Sequence, residues 1–407
     1  MSESTCFSDV DIRVGHPLET GRYPVSIETA AGDASDLMEL YPADDAFQQD
    51  LQAIENGETD EDFFIAFGQH LFDALLPGKV RGCFRTAAGL LSQGQRLRLR
   101  LRLRPPELSA LPWEFLYDPE LEIFLGIDSR ILLSRYVVDA PEFVKPMAVS
   151  PPLRLLVAFS NPMGVMPLDL DREKEVLIQA TRGAVDAGRM EISFLDHITH
   201  ARLRSTLRDV QPHIFHFVGH GEFDGEKGYL IFEDDHGKAR RMSDRKLWTF
   251  FRDAQGMKLA VLNACHGATT STGQAISGVA PYLVAKGMPA VIAMRYPVPD
   301  DTAITFSREF YEALTHETPA AVDVAVAAGR RAIYQDMDSD QPDWGIPNVF
   351  LRARDGTIFA PPEVAAEAEN AKPSGGVSFQ DLNISNVSGS TINISDIAGG
   401  DISKGNG

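Results

Sequence analysis

Two stretches decide the fold: "HIFHFVGHGEFDG" at 213–225 and "KLAVLNACHGATT" at 258–270. Each is a short apolar run ending in a turn of small residues that carries one reactive side chain, His220 or Cys265. Apolar runs of this length, punctuated by glycine, read as buried strands. Strands and helices alternate around them. "LRLLVAFS" (153–160) and "MEISFLDH" (190–197) read as strands. The helix between them, 171–188, opens with acids that suit the helix dipole and has Gly188 near its end. Thr199 is a good N-cap for a helix over 199–210. A hairpin at 228–242 and a short helix at 244–254 lead into the second stretch. A helix (272–287), a strand (289–298) and helices at 301–314 and 319–335 follow. This alternation predicts an α/β domain: a mainly parallel sheet with helices on both faces and right-handed crossovers.

In a parallel sheet the loops at the carboxyl ends of the strands form the ligand crevice. If 213–218 and 258–263 are neighbouring strands, His220 and Cys265 emerge at one rim. A cysteine needs a base or a lowered pKa to supply thiolate at neutral pH, and imidazole does this. Gly219 and Gly221 flank His220 and allow close backbone approach. The N–H groups of Gly221 and Cys265 make a candidate oxyanion hole.

Taken alone, each residue also reads as core: a cysteine ending an apolar strand as a small buried hydrophobe, a histidine as a satisfied structural group. The pairing of the two turns is what favours a nucleophile site. Other histidines fit less well. His213 and His216 lie three apart within a strand, so they face opposite sides and pack against helices. His266 adjoins Cys265 and points away; His236 sits in a hairpin turn. Three ligands from one strand do not converge on a metal, so no metal and no cofactor are expected.

The chain has 407 residues, 44% of them apolar, and a formal net charge of −20. That charge argues against nucleic acid and anionic membranes as partners and leaves a Lys- or Arg-bearing partner open. No apolar run is long enough for a membrane span, and the first residues lack a secretory signal. Cys6, Cys83 and Cys265 are too few for a disulfide framework and match no zinc spacing. The expected location is cytoplasmic, with reduced thiols.

The domains expected are an N-terminal α+β domain (1–147), the α/β domain that carries His220 and Cys265 (148–360), a linker (361–377) and a repeat tail (378–407). In the first, 63–77 has helical apolar spacing, and "RLRLRLRLR" (96–104) alternates as a half-buried strand. Its five arginines form either a solvated, charge-paired face or a phosphate-binding ridge. Trp113 and Phe115 should pack inward. The Pro-rich 140–152 marks a boundary. In the tail, "NISNVSGSTI" (383–392) and "NISDIAGGDI" (393–402) repeat every ten residues, either as disordered chain or as an adaptor strand for a regulator.

"HFVGHGEF" with "LNACHGA" resembles the His-Gly and Ala-Cys motifs of caspase-like cysteine peptidases. More closely, the chain resembles the CHAT-domain proteins, relatives of separases and caspases. "LPWEFLYD" (111–118), "LVAKGMPAVIAMRYPVPD", "FSREFYEAL" and "DWGIPNVFL" (343–351) are similar to the family's segments in its order, over about 95–352. The resemblance implies a caspase-like fold and a metal-free endopeptidase, with His220 the catalytic histidine, Cys265 the nucleophile and Gly221 in the oxyanion hole. It implies attack by thiolate, a thioester acyl-enzyme, and a role in bacterial defence or signalling. The partner implied is a specific protein substrate, encoded nearby. Two features depart from the family: no 34-residue repeat is present, and Asn263 stands where relatives carry an acid two positions before the cysteine. Asp224 is a substitute for substrate binding, or a turn residue. The alternative is a catalytically silent scaffold.

Overall fold

The computed structural model describes residues 7–137, 144–224, 227–263, 272–296, 298–316, 321–336, 342–353 and 355–360. The linker, the tail and Cys265 lie outside the described residues.

The chain begins with β1 (Phe7–Val14), β2 (Arg22–Thr29) and β3 (Gly32–Glu39), then α1 (Asp45–Asn56), α2 (Glu61–Leu75) and α3 (Gly78–Gly89). Next come β4 (Arg96–Leu103), the single turn α4 (Pro106–Ser109), the short pair β5 (Tyr117–Asp118) and β6 (Ile123–Phe124), and β7 (Ile131–Tyr136). β8 (Met147–Ala148), β9 (Leu153–Phe159), α5 (Leu170–Asp186), β10 (Met190–Leu195), α6 (His200–Val210) and β11 (Ile214–Val218) follow. β12 (His220–Phe223), β13 (Gly228–Glu233), β14 (Ala239–Ser243), α7 (Asp244–Asp253), β15 (Leu259–Asn263) and α8 (Thr272–Lys286) come next. β16 (Ala290–Met294), α9 (Asp300–Leu314), α10 (Val322–Asp336), β17 (Pro347–Leu351) and β18 (Phe359–Ala360) close the described chain.

One eleven-stranded sheet runs β10-β9-β11-β15-β16-β17-β7-β4-β1-β2-β3. Its pairings are parallel except β16–β17, β1–β2 and β2–β3. Strands from the N-terminal segment therefore continue the same sheet through β7–β17. β11, β15 and β16 are buried along their whole length, which is why they read as unbroken apolar runs. Successive side chains of β11 reach opposite layers. Phe215 packs on Phe251 of α7 (ring centroids 5.0 Å apart), and His216 meets Tyr311 of α9. The expected α/β architecture, with helices on both faces, is what forms. Thr199 caps α6, accepting from the Arg202 N–H at 3.2 Å.

Two places differ from the sequence reading. The arginine face of β4 is not solvated: Arg98 and Arg100 are buried. β1 lies in register beside it, so Asp9 and Asp11 stand next to Arg98 and Arg100. Arg100 pairs with Asp9 and Asp11, Arg102 with Asp11, and Arg98 with Asp323 of α10 at 2.5 Å. The guanidiniums neutralise a buried ladder of carboxylates, which removes the case for a phosphate ridge. The second difference is at His220, which reads as a turn residue but lies in a strand. β11 ends at Val218, and His220 opens β12 in a separate three-stranded sheet, β12-β13-β14.

The "LPWEF" segment ties the N-terminal region to the sheet. Trp113 is fully buried and its indole N–H donates to the Leu108 carbonyl at 2.7 Å. Phe115 stands edge-on to Trp344, with centroids 5.4 Å apart. Glu114, 1% exposed, accepts a two-pronged bond from Arg135 and has Arg330 at 3.7 Å. Burial alone would raise the Glu114 pKa, but the two guanidiniums hold it below the ordinary value.

Candidate active site

The sheet's carboxyl-end rim is stitched across three neighbouring strands. β9, β11 and β15 are parallel, with Val218 beside both Phe159 and Asn263. Just past the strand ends, the Ser160 N–H donates to the Val218 carbonyl at 2.9 Å, and the Gly219 N–H to the Asn263 carbonyl at 3.0 Å. Gly219 fits a space where a Cβ would lie 2.5 Å from the Phe217 ring and 3.1 Å from the Ser160 Cβ. This crowding explains the glycine before His220.

His220 is 3% exposed and sits opposite Ile231 of β13. Gly221, half-buried, is the next residue of β12, opposite Leu230. Asn263 is the last residue of β15, 7% exposed, and its Oδ1 has no hydrogen-bond partner among the described residues. Cys265, two residues further on, lies outside the described residues. The structure therefore brings together His220, Gly221 and Asn263. Asp224 lies in the β12–β13 turn, exposed, where it accepts from the Lys227 N–H (2.8 Å) and the Tyr229 hydroxyl (3.0 Å). It closes a turn.

His266 lies outside the described residues, and His213 and His216 are satisfied within the fold. His216 Nδ1 is 2.7 Å from the Tyr311 hydroxyl, and complete burial pushes its pKa down to about 3. His213 Nδ1 accepts from the Arg154 N–H at 3.1 Å, and burial, then Arg154, pushes its pKa down to about 4. Both are neutral structural groups. Among the described residues no three His, Cys, Asp or Glu side chains cluster as metal ligands, and no helix is long and apolar enough to cross a membrane.

Sequence reasoning missed two rim residues. Ser160, fully buried at the end of β9, has an Oγ without a partner among the described residues. Arg295 follows β16 and is 8% exposed. Only their place, directly after a buried strand, could have signalled them.

The family described as CHAT domain matches residues 66–363. No curated protein matches the chain by sequence. Among solved structures, the chain is similar to the Saccharomyces cerevisiae separase in its complex with securin. That likeness has 11% identity and a TM-score of 0.49, and covers 84% of this chain and 30% of that one. It is also similar to gingipain R, an Arg-specific cysteine proteinase of Porphyromonas gingivalis (10% identity, TM-score 0.43, covering 78% and 75%). A third is the Drosophila initiator caspase Dronc (13% identity, TM-score 0.31, covering 55% and 97%). The chain thus spans 30% of the length of the separase chain it matches.

Proposed function

Because the chain belongs to the CHAT domain family, we propose that it is a cysteine endopeptidase that cleaves a specific protein partner through His220 and Cys265. The observation that carries this reading is the Gly219–Asn263 bond of 3.0 Å. It ties the residue before His220 to the residue two positions before Cys265. In the proposed reaction the Cys265 thiolate attacks the scissile carbonyl carbon. The resulting oxyanion is held by the N–H groups of Gly221 and Cys265. Collapse breaks the C–N bond as His220 gives a proton to the leaving amine, and a thioester remains. Water then attacks the thioester, releasing the acid and regenerating the thiol. The reading extends to a role as an effector in bacterial defence or signalling, with its substrate among the products of neighbouring genes.

The test is incubation of wild type, Cys265→Ala and His220→Ala with those products, cleavage being read by mass spectrometry. Cleavage by wild type, its loss in Cys265→Ala and a fall of about 10²–10⁴ in His220→Ala are expected. A partner bound but left intact by wild type, or cut equally by Cys265→Ala, overturns the proposal. So does a thiol-reactive peptide probe that labels Cys83 and spares Cys265.

A further inference from the structure

A cavity of about 780 Å³ lies beside the rim, within the range of about 300–1,000 Å³ typical of ligand sites. Its walls come from two parts of the chain: Tyr23, Asp44 and Glu55 from the N-terminal strands and α1, Glu107 from α4, and Arg295 and Tyr296 from the end of β16. β16 runs parallel to β15 with Ala293 beside Leu262. Arg295 therefore leaves the sheet at the rim where the chain leaves Asn263 toward Cys265. Glu55, Asp44 and Tyr23 precede residue 66, so this wall stands outside the family match.

The polar groups here are incompletely matched. Arg295 Nε donates to the Tyr296 hydroxyl at 3.0 Å, and one terminal nitrogen donates to the Ala110 carbonyl. The other terminal nitrogen, Nη1, is buried without an acceptor among the described residues. Glu55 lies near enough to feel the charge of Arg295, yet no ion pair joins them. Arg295 is the only cation among the described residues lining the cavity, against three carboxylates. Glu55 is half-buried, Asp44 and Glu107 are exposed, and Glu107 accepts from the Tyr23 hydroxyl at 3.3 Å. A buried donor without an acceptor is costly, and three like charges around one cavity repel one another. A ligand that relieves both supplies an acceptor for Arg295 and a cation for the carboxylates. A peptide does this: a main-chain carbonyl accepts from Nη1, and a Lys or Arg side chain pairs with Glu55 and Glu107.

We propose that this cavity seats a Lys- or Arg-bearing segment of the protein substrate, so that the region before residue 66 sets the preference for basic sequence beside the scissile bond. The proposal rests on the peptidase reading above, and the net charge of −20 favours such a partner at long range. Binding is measured on Cys265→Ala, so that it does not depend on catalysis. The probes are two fluorescent hexapeptide mixtures, random except for one central position, Arg in one and citrulline in the other. The Arg mixture should bind about tenfold tighter, the worth of one charge-assisted hydrogen bond. Glu55→Gln with Glu107→Gln should abolish that ratio, while Arg295→Met weakens both mixtures alike. Melting curves check that each variant folds. Equal binding of the two mixtures, absent binding of both, or a ratio unchanged in the double variant overturns the proposal. If the peptidase reading alone fails, the ratio survives while wild type cuts nothing.

Discussion

Arg135 and Arg295 hold the same connector and end differently. Arg135 donates to the Ser109 and Leu111 carbonyls, each at 2.7 Å, and Arg295 donates to the Ala110 carbonyl between them. They are 4% and 8% exposed. Arg135 has a full carboxylate partner in Glu114, which is shared with Arg330. Among the described residues Arg295 has none, and keeps a buried nitrogen without an acceptor. A buried charge costs several kcal/mol unless a partner of good geometry offsets it. The inner arginine is neutralised within the chain, whereas the rim arginine leaves its electrostatics open toward a cavity. The first arrangement serves the fold, and the second suits a ligand.

The sharpest way to break this contrast is Glu114→Ala. It strands Arg135 and Arg330 in the interior, and should cost about 3–5 kcal/mol in urea unfolding of the full chain. A cost below about 1 kcal/mol would mean that neighbouring carbonyls satisfy the inner arginines, and the two sites would not differ in kind.

Gly219→Ala tests the rim from the other side. The added methyl meets the Phe217 ring at 2.5 Å, and overpacking of that kind costs about 1–3 kcal/mol. Because Gly219 joins β11 to His220, labelling of Cys265 by a thiol-reactive peptide should fall further than that stability loss explains. Labelling at the wild-type rate would detach the strand junction from the chemistry.

A third effect separates the interior from the rim by pH. His216 is held neutral in the fold, with a pKa of about 3 against an ordinary 6.5. Between these values the unfolded chain binds more protons than the native one, so stability falls as pH is lowered through that window. The slope from this group is about 1.4 kcal/mol per pH unit. His216→Gln should flatten the stability profile between pH 6.5 and 4.5 by about that slope. An unchanged profile would show that His216 is not sealed.

What the sequence disclosed follows what burial writes into residue type. β9, β11, β15 and β16 were legible because strands covered on both sides must be apolar throughout. Trp113 and Phe115 were legible as inward-facing for the same reason. The ends of β11 and β15, just before His220 and Cys265, were legible because each apolar run stops at small residues; Cys265 itself lies outside the described residues. Pairing between distant segments was not. Nothing in "RLRLRLRLR" reveals that Asp9, Asp11 and Asp323 fold against it, so a buried ladder read as a surface. That His220 opens a second sheet was also hidden, since nothing in "GHGEF" reveals that β13 pairs with it. Asp224 in the turn, and Glu55 and Arg295 at the cavity, carry no periodicity that would separate them from other charged residues.

The smallest effect decides most about the two arginines. Arg295→Met removes bonds to the Ala110 carbonyl and the Tyr296 hydroxyl, worth about 1–3 kcal/mol together. It also removes a buried charge that lacks a carboxylate, and replaces it with an apolar chain of similar reach, which offsets that loss. The net change in unfolding free energy should be within about 1 kcal/mol of zero, while Arg135→Met, which strands Glu114, should cost several times more. Equal costs would place Arg295 among the groups that hold the fold together, and its unmatched nitrogen would then be a tolerated defect.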